Sequence, residues 1–115
     1  VWTDPPGPTS GPALVNNLDL EVQVGSNTYR GNVFASGAST TGGTANTVDN
    51  VERVYLPTVT AGQPITITVR ATALNGDGVL GNADTTDQHF ALVCLNCAQE
   101  AQFVLSGDME AASIC

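Results

Sequence analysis

This chain of 115 residues has no lysine, one histidine, one tryptophan and one methionine, and its only cations are Arg30, Arg53 and Arg70. Those three arginines face 11 carboxylates, for a formal net charge of −8. A surface of that sign repels phosphate backbones and anionic lipid, which excludes nucleic acid and membrane surfaces as partners. No stretch approaches the ~18 consecutive apolar residues of a spanning helix, and no basic segment leads into an apolar one as in a secretory signal. No segment holds a helical period over ten residues. The lone histidine leaves little room for a hydrolase triad, in which a nucleophile needs a base that is itself oriented by a third group. No serine sits in a Gly-x-Ser-x-Gly elbow. His89 is expected on one face with Ala91 and Val93 in a core strand, as a structural imidazole. Carboxylate-pair chemistry stays open, although no spacing singles out a pair.

What is present is β-pattern. Hydrophobic residues make up 42% of the chain, enough for a core, and a single domain of this length buries roughly two-thirds of its unfolded surface. Leu18, Leu20, Val22 and Val24 alternate with Asp19, Glu21 and Gln23, the period of a half-buried antiparallel strand. Gly25-Ser26-Asn27 turns it into a short partner, Thr28–Arg30. Further strands are expected at Val51–Leu56, ended by Pro57, at Ile65–Ala71, at Gln88–Cys94 and at Gln102–Leu105. Residues 35–46 and 75–87 read as loops rich in Gly, Ser, Thr, Asn and Asp. Pro5, Pro6, Pro8 and Pro12 make residues 1–12 an extended entry segment that cannot be a central strand. Short strands with turn signals every ten or so residues predict an all-β fold, an antiparallel jelly-roll-like β-sandwich of about eight strands.

Two polar clusters are candidate cation sites. The first is Asn75, Asp77, Asn82, Asp84 and Asp87, which brings three carboxylates, two amides and three glycines into thirteen residues. Hard cations such as calcium take six to eight oxygens gathered on loops of this kind. It is not an EF-hand: Ala73 stands where the first acidic ligand belongs and flanking helices are missing. The alternative is a loop whose Asn and Asp side chains bond their own backbone. The second cluster is Asp19, Asp49, Asn50 and Glu52, with Asn17 beside it. The alternative there is a hydrogen-bonded polar patch with Arg30 or Arg53 as counter-ion, in which one acid is partly buried and therefore paired. Cys94, Cys97 and Cys115 leave an odd count. Three cysteines with His89 are numerically a zinc set. A disulfide, Cys94–Cys97 or Cys97–Cys115, is the expected fate in an extracellular setting, with one thiol left over.

Five segments in order, Trp2-Thr3-Asp4-Pro5-Pro6-Gly7, Ala13–Leu20, Tyr29-Arg30-Gly31-Asn32, Asp49–Val54 and Gln88–Val93, resemble the C-terminal β-sandwich domain of secreted bacterial subtilisin-like serine proteases, which is more distantly similar to the P domain of proprotein convertases. The resemblance covers residues 1–95. Asn17 replaces an Asp of the family pattern, and Asp49 stands where Asn is usual. The resemblance implies a non-catalytic accessory domain that packs on the subtilisin-like catalytic domain of the same polypeptide. It also implies a stabilising role, structural calcium, a part in engaging protein substrate and a secreted location. Residues 1–97 are then the domain and 98–115 an extension or linker to a further one, with the chain a piece of a longer polypeptide. The alternative is a free-standing extracellular binding or adhesion module for protein or carbohydrate; six aromatic residues, several on strands, argue against the carbohydrate version.

Overall fold

The computed structural model describes residues 1–5, 14–81, 83, 86–97, 102–106 and 109–114, the last two stretches as backbone. Among these residues there is no helix, and seven strands are found: β1 Asn16–Val24, β2 Asn27–Ala35, β3 Ala38–Thr41, β4 Ile65–Leu74, β5 Gln88–Leu92, β6 Gln102–Ser106 and β7 Met109–Ile114. The all-β expectation holds. One sheet has the order β3-β2-β1-β4-β6, with β6 parallel to β4 and the other neighbours antiparallel, and β5 pairs with β7 in a second, parallel pair.

The alternating pattern places β1 against β4. Leu20 faces Val69, Val22 faces Ile67 and Val24 faces Ile65, so the apolar sets of the two strands meet on one side of the sheet. On the other side Glu21 Oε1 takes a 2.9 Å bond from Arg70 Nη1. That pair is largely exposed and contributes at most ~1 kcal/mol. Gly25 adopts a φ of 60° in the tight β1–β2 turn, and Ser36 and Gly37 both take positive φ between β2 and β3, as two-residue hairpin turns require.

A second layer covers the apolar side. Val1 and Ala91 exchange a pair of backbone bonds of 3.0 and 2.9 Å, and Trp2 N–H donates to Asn50 O at 3.1 Å. Residues 1–3 therefore lie between β5 and the segment 50–56. Trp2 and Phe90 from this layer pack on Leu18 and Val69 from the sheet, and a second cluster gathers Val22, Val24 and Ile67 beneath Val54, Leu56 and Cys94.

Several elements differ from the sequence reading. β2 runs on to Ala35, and β3 lies inside the expected 35–46 loop, because the turn at Ser36-Gly37 folds small residues back as an edge strand. Val51–Leu56 is extended but is not a ladder strand. Its inward residues are Glu52, Val54 and Leu56, while Val51, Arg53 and Tyr55 are exposed. Its backbone partners are divided among Trp2, Asn32 and Ser39, and side chains supply half of the bonds: Arg53 N–H to Asn32 Oδ1 at 2.9 Å, Asn32 Nδ2 to Val51 O at 2.8 Å and Tyr55 N–H to Ser39 Oγ at 2.8 Å. In β5 the expected face is reversed. Gln88 and Phe90 are buried, His89 is half-buried and Val93, beyond the strand end, is 57% exposed, because Phe90 fills the place beside Trp2 and Leu18. Of the entry segment, residues 6–12 lie outside the described residues.

The layers are locked together by Asn16, which is fully buried. Its Oδ1 accepts from Asn75 N and Gly76 N at 2.8 and 2.9 Å, and its Nδ2 reaches Gly76 O, Asp87 O and Gln88 Oε1. Asp4 receives the backbone N–H groups of Val15 and Asn16 at 2.9 and 2.7 Å, and Trp2 Nε1 donates to Asn16 O. Asn16→Ala removes the acceptor of the part-buried Asn75 and Gly76 N–H groups and the donor to the buried Gln88 Oε1, and a buried group left unmet costs about 1–3 kcal/mol. Urea denaturation of this variant should show a stability loss of about 3 kcal/mol or more, with an unchanged m-value.

Candidate functional site

β1 pairs with β2 only as far as Glu21 opposite Arg30. Beyond that point Asn32 takes a φ of 62°, β2 turns aside, and the N–H of Leu20 is met by a side chain. Glu52 Oε2 accepts it at 2.6 Å. The carboxylate arm lies directly over Gly31, where a Cβ would stand 2.8 Å from the Glu52 Cβ; only glycine permits so close an approach.

Glu52 Oε1 is buried and has no partner among the described residues. Burial pushes the Glu52 carboxyl up to about 7. The Leu20 N–H and the Val1 ammonium work against that rise, and the charges of Asp19 and Asp49 add to it. Asp19 is itself buried, with Oδ2 taking a short bond from Thr72 Oγ1 and Oδ1 a long one, 3.5 Å, from Asn17 Nδ2. Asp19 and Glu52 share the lining of a small cavity, about 30 Å³, with Trp2, Leu18 and Phe90. That volume accommodates one or two waters, and an otherwise bare Glu52 Oε1 is the polar group such a water would serve.

Of the second candidate cluster, then, the structure brings Asp19 and Glu52 together at the cavity. Asp49 is exposed on a turn in which Asn46 Oδ1 caps the Val48 and Asp49 N–H groups, and Asn46 Nδ2 holds Asp49 Oδ2 at 2.8 Å. Asn50 Nδ2 is engaged by Trp2 O at 2.7 Å. Of the two expected counter-ions, Arg30 goes to Gly43 O and Arg53 is exposed, while Arg70 pairs with Glu21. The charge that faces Glu52 at the seam is the Val1 ammonium, and with the Leu20 N–H it only partly offsets the cost of burial.

The first candidate cluster is described only in part, since Asn82 and Asp84 lie outside the described residues. Its base is a narrow neck. Asp77 and Asp87 form a β-bridge, Gly78 N–H donates to Asp87 O at 2.8 Å, and Asp87 Oδ1 accepts from Val79 N at 3.0 Å. Asn75 gives its N–H to Asn16 and its amide to Val15 O. Asn75 and Asp87 thus bond backbone near the loop's neck. Among the described residues, no group of three or more His, Cys, Asp or Glu side chains is gathered as a metal ion would require.

Cys94 and Cys97 stand at disulfide distance, with Cα atoms 5.8 Å apart across a turn in which Asn96 has a φ of 63°. Cys94 packs against the Val22, Val24 and Ile67 cluster, so the pair pins the turn at 95–97 to a residue seated on the core. Cys115 lies outside the described residues.

Four residues with structural consequence are not among the candidate site residues, although Asp4, Asn16 and Gln88 lie in the segments that carry the resemblance. Asp4 sits in a proline-rich context, and Thr72 is an ordinary strand threonine. Asn16 and Gln88 open apolar strands, where an amide is the one readable irregularity. Comparison of the chain with family models, curated proteins and solved structures finds no match.

Because the folded Glu52 carboxyl titrates near 7 and its ordinary value is 4.5, the native state holds the proton more tightly than the unfolded state between those values. The favourable contribution of the protonated form is complete below about 4.5 and is lost as pH rises through about 7. Thermal midpoints measured across this range should fall with rising pH. The fall attributable to Glu52 should disappear in Glu52→Gln, which should also melt higher than the parent at pH 8. An unaltered pH slope in the variant would assign the dependence to another group.

Proposed function

We propose that this chain is a non-catalytic accessory domain of a secreted subtilisin-like serine protease, a jelly-roll-like, P-domain-like β-sandwich that stabilises the catalytic domain and helps to hold protein substrate. The observation that carries this reading is the convergence of the segments on which the resemblance rests. Trp2 bonds Asn16 and Asn50, Asp4 clasps Val15 and Asn16, Glu52 seats against Leu20 over Gly31, and Gln88 reaches Asn16 and Thr3. Residues that are scattered in sequence but interlock in space are those a fold family would share. The two-layer arrangement of the described strands suits a sandwich. The polypeptide encoded upstream of Val1 should contain a serine-protease domain with a Gly-Thr-Ser-like nucleophile segment within a few hundred residues. Its absence would overturn the reading.

Structural calcium belongs to the same proposal. The loop 75–87, with Asp77 and Asp87 at its neck, is the first place for it, and the Asp19 and Glu52 seam is the second. A calcium ion at the seam would supply the charge that Glu52 lacks and lower its titration toward the ordinary range. Thermal unfolding in low-calcium buffer should shift to a lower midpoint when EDTA is added, and a superimposable curve would remove calcium from the proposal.

The second reading, a free-standing extracellular binding module, is favoured by one observation. Phe34 and Tyr55 are both about half exposed and flank Ser39, which pairs with Phe34 and bonds Tyr55. Exposed aromatic side chains of this kind anchor protein contacts. Phe34→Ser with Tyr55→Ser should leave the melting curve unchanged and abolish partner binding on the second reading. On the first, protease stability should be insensitive to both changes unless this face meets the catalytic domain.

A further inference from the structure

At the end of the molecule opposite the Asn16 knot, the β1–β2 turn and the segment that follows Leu56 leave a cleft of about 200 Å³. Asn27 and Tyr29 line it from β2, and Thr58, Thr60 and Gln63 from the facing loop. Beneath them are Val24 and Leu56, members of the lower core cluster. The loop is stiffened by its own sequence. Pro57 and Pro64 bracket it, Gln63 N–H closes onto Thr60 O at 3.1 Å, and Gly62 takes the φ of 81° that this turn needs. Thr60 and Gln63 are thereby held at one rim before any ligand arrives, which lowers the ordering cost of binding.

The lining is uncharged, in a chain with 11 carboxylates, and Val59 adds to its apolar part. Its polar groups are amides and hydroxyls, each able to both donate and accept. Asn27, Thr58, Thr60 and Gln63 are exposed, and within the described residues their side chains and that of Tyr29 make no hydrogen bond to protein, so their donors and acceptors face the open cleft. The volume lies below the ~300–1,000 Å³ of sites for drug-sized ligands, so the occupant is one small ring.

We infer that this cleft binds a single neutral sugar ring by hydrogen bonds to its rim, a mode that does not need the exposed stacking aromatics whose scarcity argues against a carbohydrate-adhesion module. Hydroxyl groups that both donate and accept match a rim of amides and hydroxyls, and the C–H face of the ring suits an apolar floor of Tyr29, Val24 and Leu56. A metal ion has no carboxylate here to hold it, and an anionic ligand meets a net charge of −8. The inference rests neither on a companion protease nor on calcium.

The test is ¹⁵N NMR titration of the full chain with glucose and, separately, with N-acetylglucosamine. Glucuronic acid serves as the charged counterpart and cyclohexanol as the apolar one. At least one neutral sugar should give saturable shifts confined to Asn27, Tyr29 and residues 56–63. Gln63→Ala and Thr60→Val, both at exposed positions, should each weaken the interaction about tenfold, as expected for loss of one or two ligand hydrogen bonds. Thermal midpoints should not change. The inference is overturned if neither sugar gives saturable shifts, if the shifts fall elsewhere, if they survive both substitutions, or if cyclohexanol reproduces them at equal concentration.

Discussion

The structure turns on one buried amide. Asn16 stands at the first residue of β1, where the strand, the entry segment, the neck of the 75–87 loop and β5 all arrive together. Each of these pieces brings backbone groups that no ladder satisfies, and a buried orphan of that kind costs as much as a core cavity. An asparagine side chain offers two donors and one two-lone-pair acceptor in a plane, and here all are engaged. No apolar residue could do this, and Asp would lack the donors. The apolar core is small, seven buried side chains among the described residues, so uniqueness of packing depends heavily on this fully satisfied polar network.

Glu52 works by a different logic. Asn16 is neutral and saturated, whereas Glu52 carries a titratable group into the same interior with one oxygen unmet. Burying a carboxylate without a partner favours its protonated form, and the adjacent Asp19 reinforces that preference. The two sites therefore differ in how they tolerate change. The knot centres on a neutral amide and is intolerant of truncation; the seam is sensitive to pH and receptive to a neutral isostere.

Much of the sheet was legible because β1 and β4 alternate cleanly and carry β-branched residues on the face that is buried. The extent of β2 was not, since Gly31 and Asn32 look like a terminator and instead form a bulge around which the strand continues. β3 is written in Ala, Ser and Thr, which differ little from loop composition, and its existence depends on a turn and a neighbour. The face of β5 was misread because hydrophobicity alone counts Val93 and Ala91 as core and Gln88 as surface, while hydrogen bonding across the layers buries the glutamine. For the sites, carboxylate clustering was visible and the partial burial of one acid was foreseeable from the alternation. Which carboxylates meet could not be read, because it depends on how the segment 50–56 crosses the sheet.

That segment has a consequence for the molecule's solubility. Sheets guard their outer strands against pairing with other chains chiefly by placing lysine or proline there, and this chain has no lysine. β3 is the outer strand at one side of the sheet, and its Ser39 N–H and hydroxyl are taken by Tyr55. The crossing segment cannot pass the vulnerability outward, because it holds its neighbours through side-chain oxygens and amides and has no regular row of free backbone groups to offer. An irregular, half-side-chain strap thus covers the sheet edge at Ser39, in a chain without lysine. Loosening the strap would free the Ser39 N–H and hydroxyl at this edge.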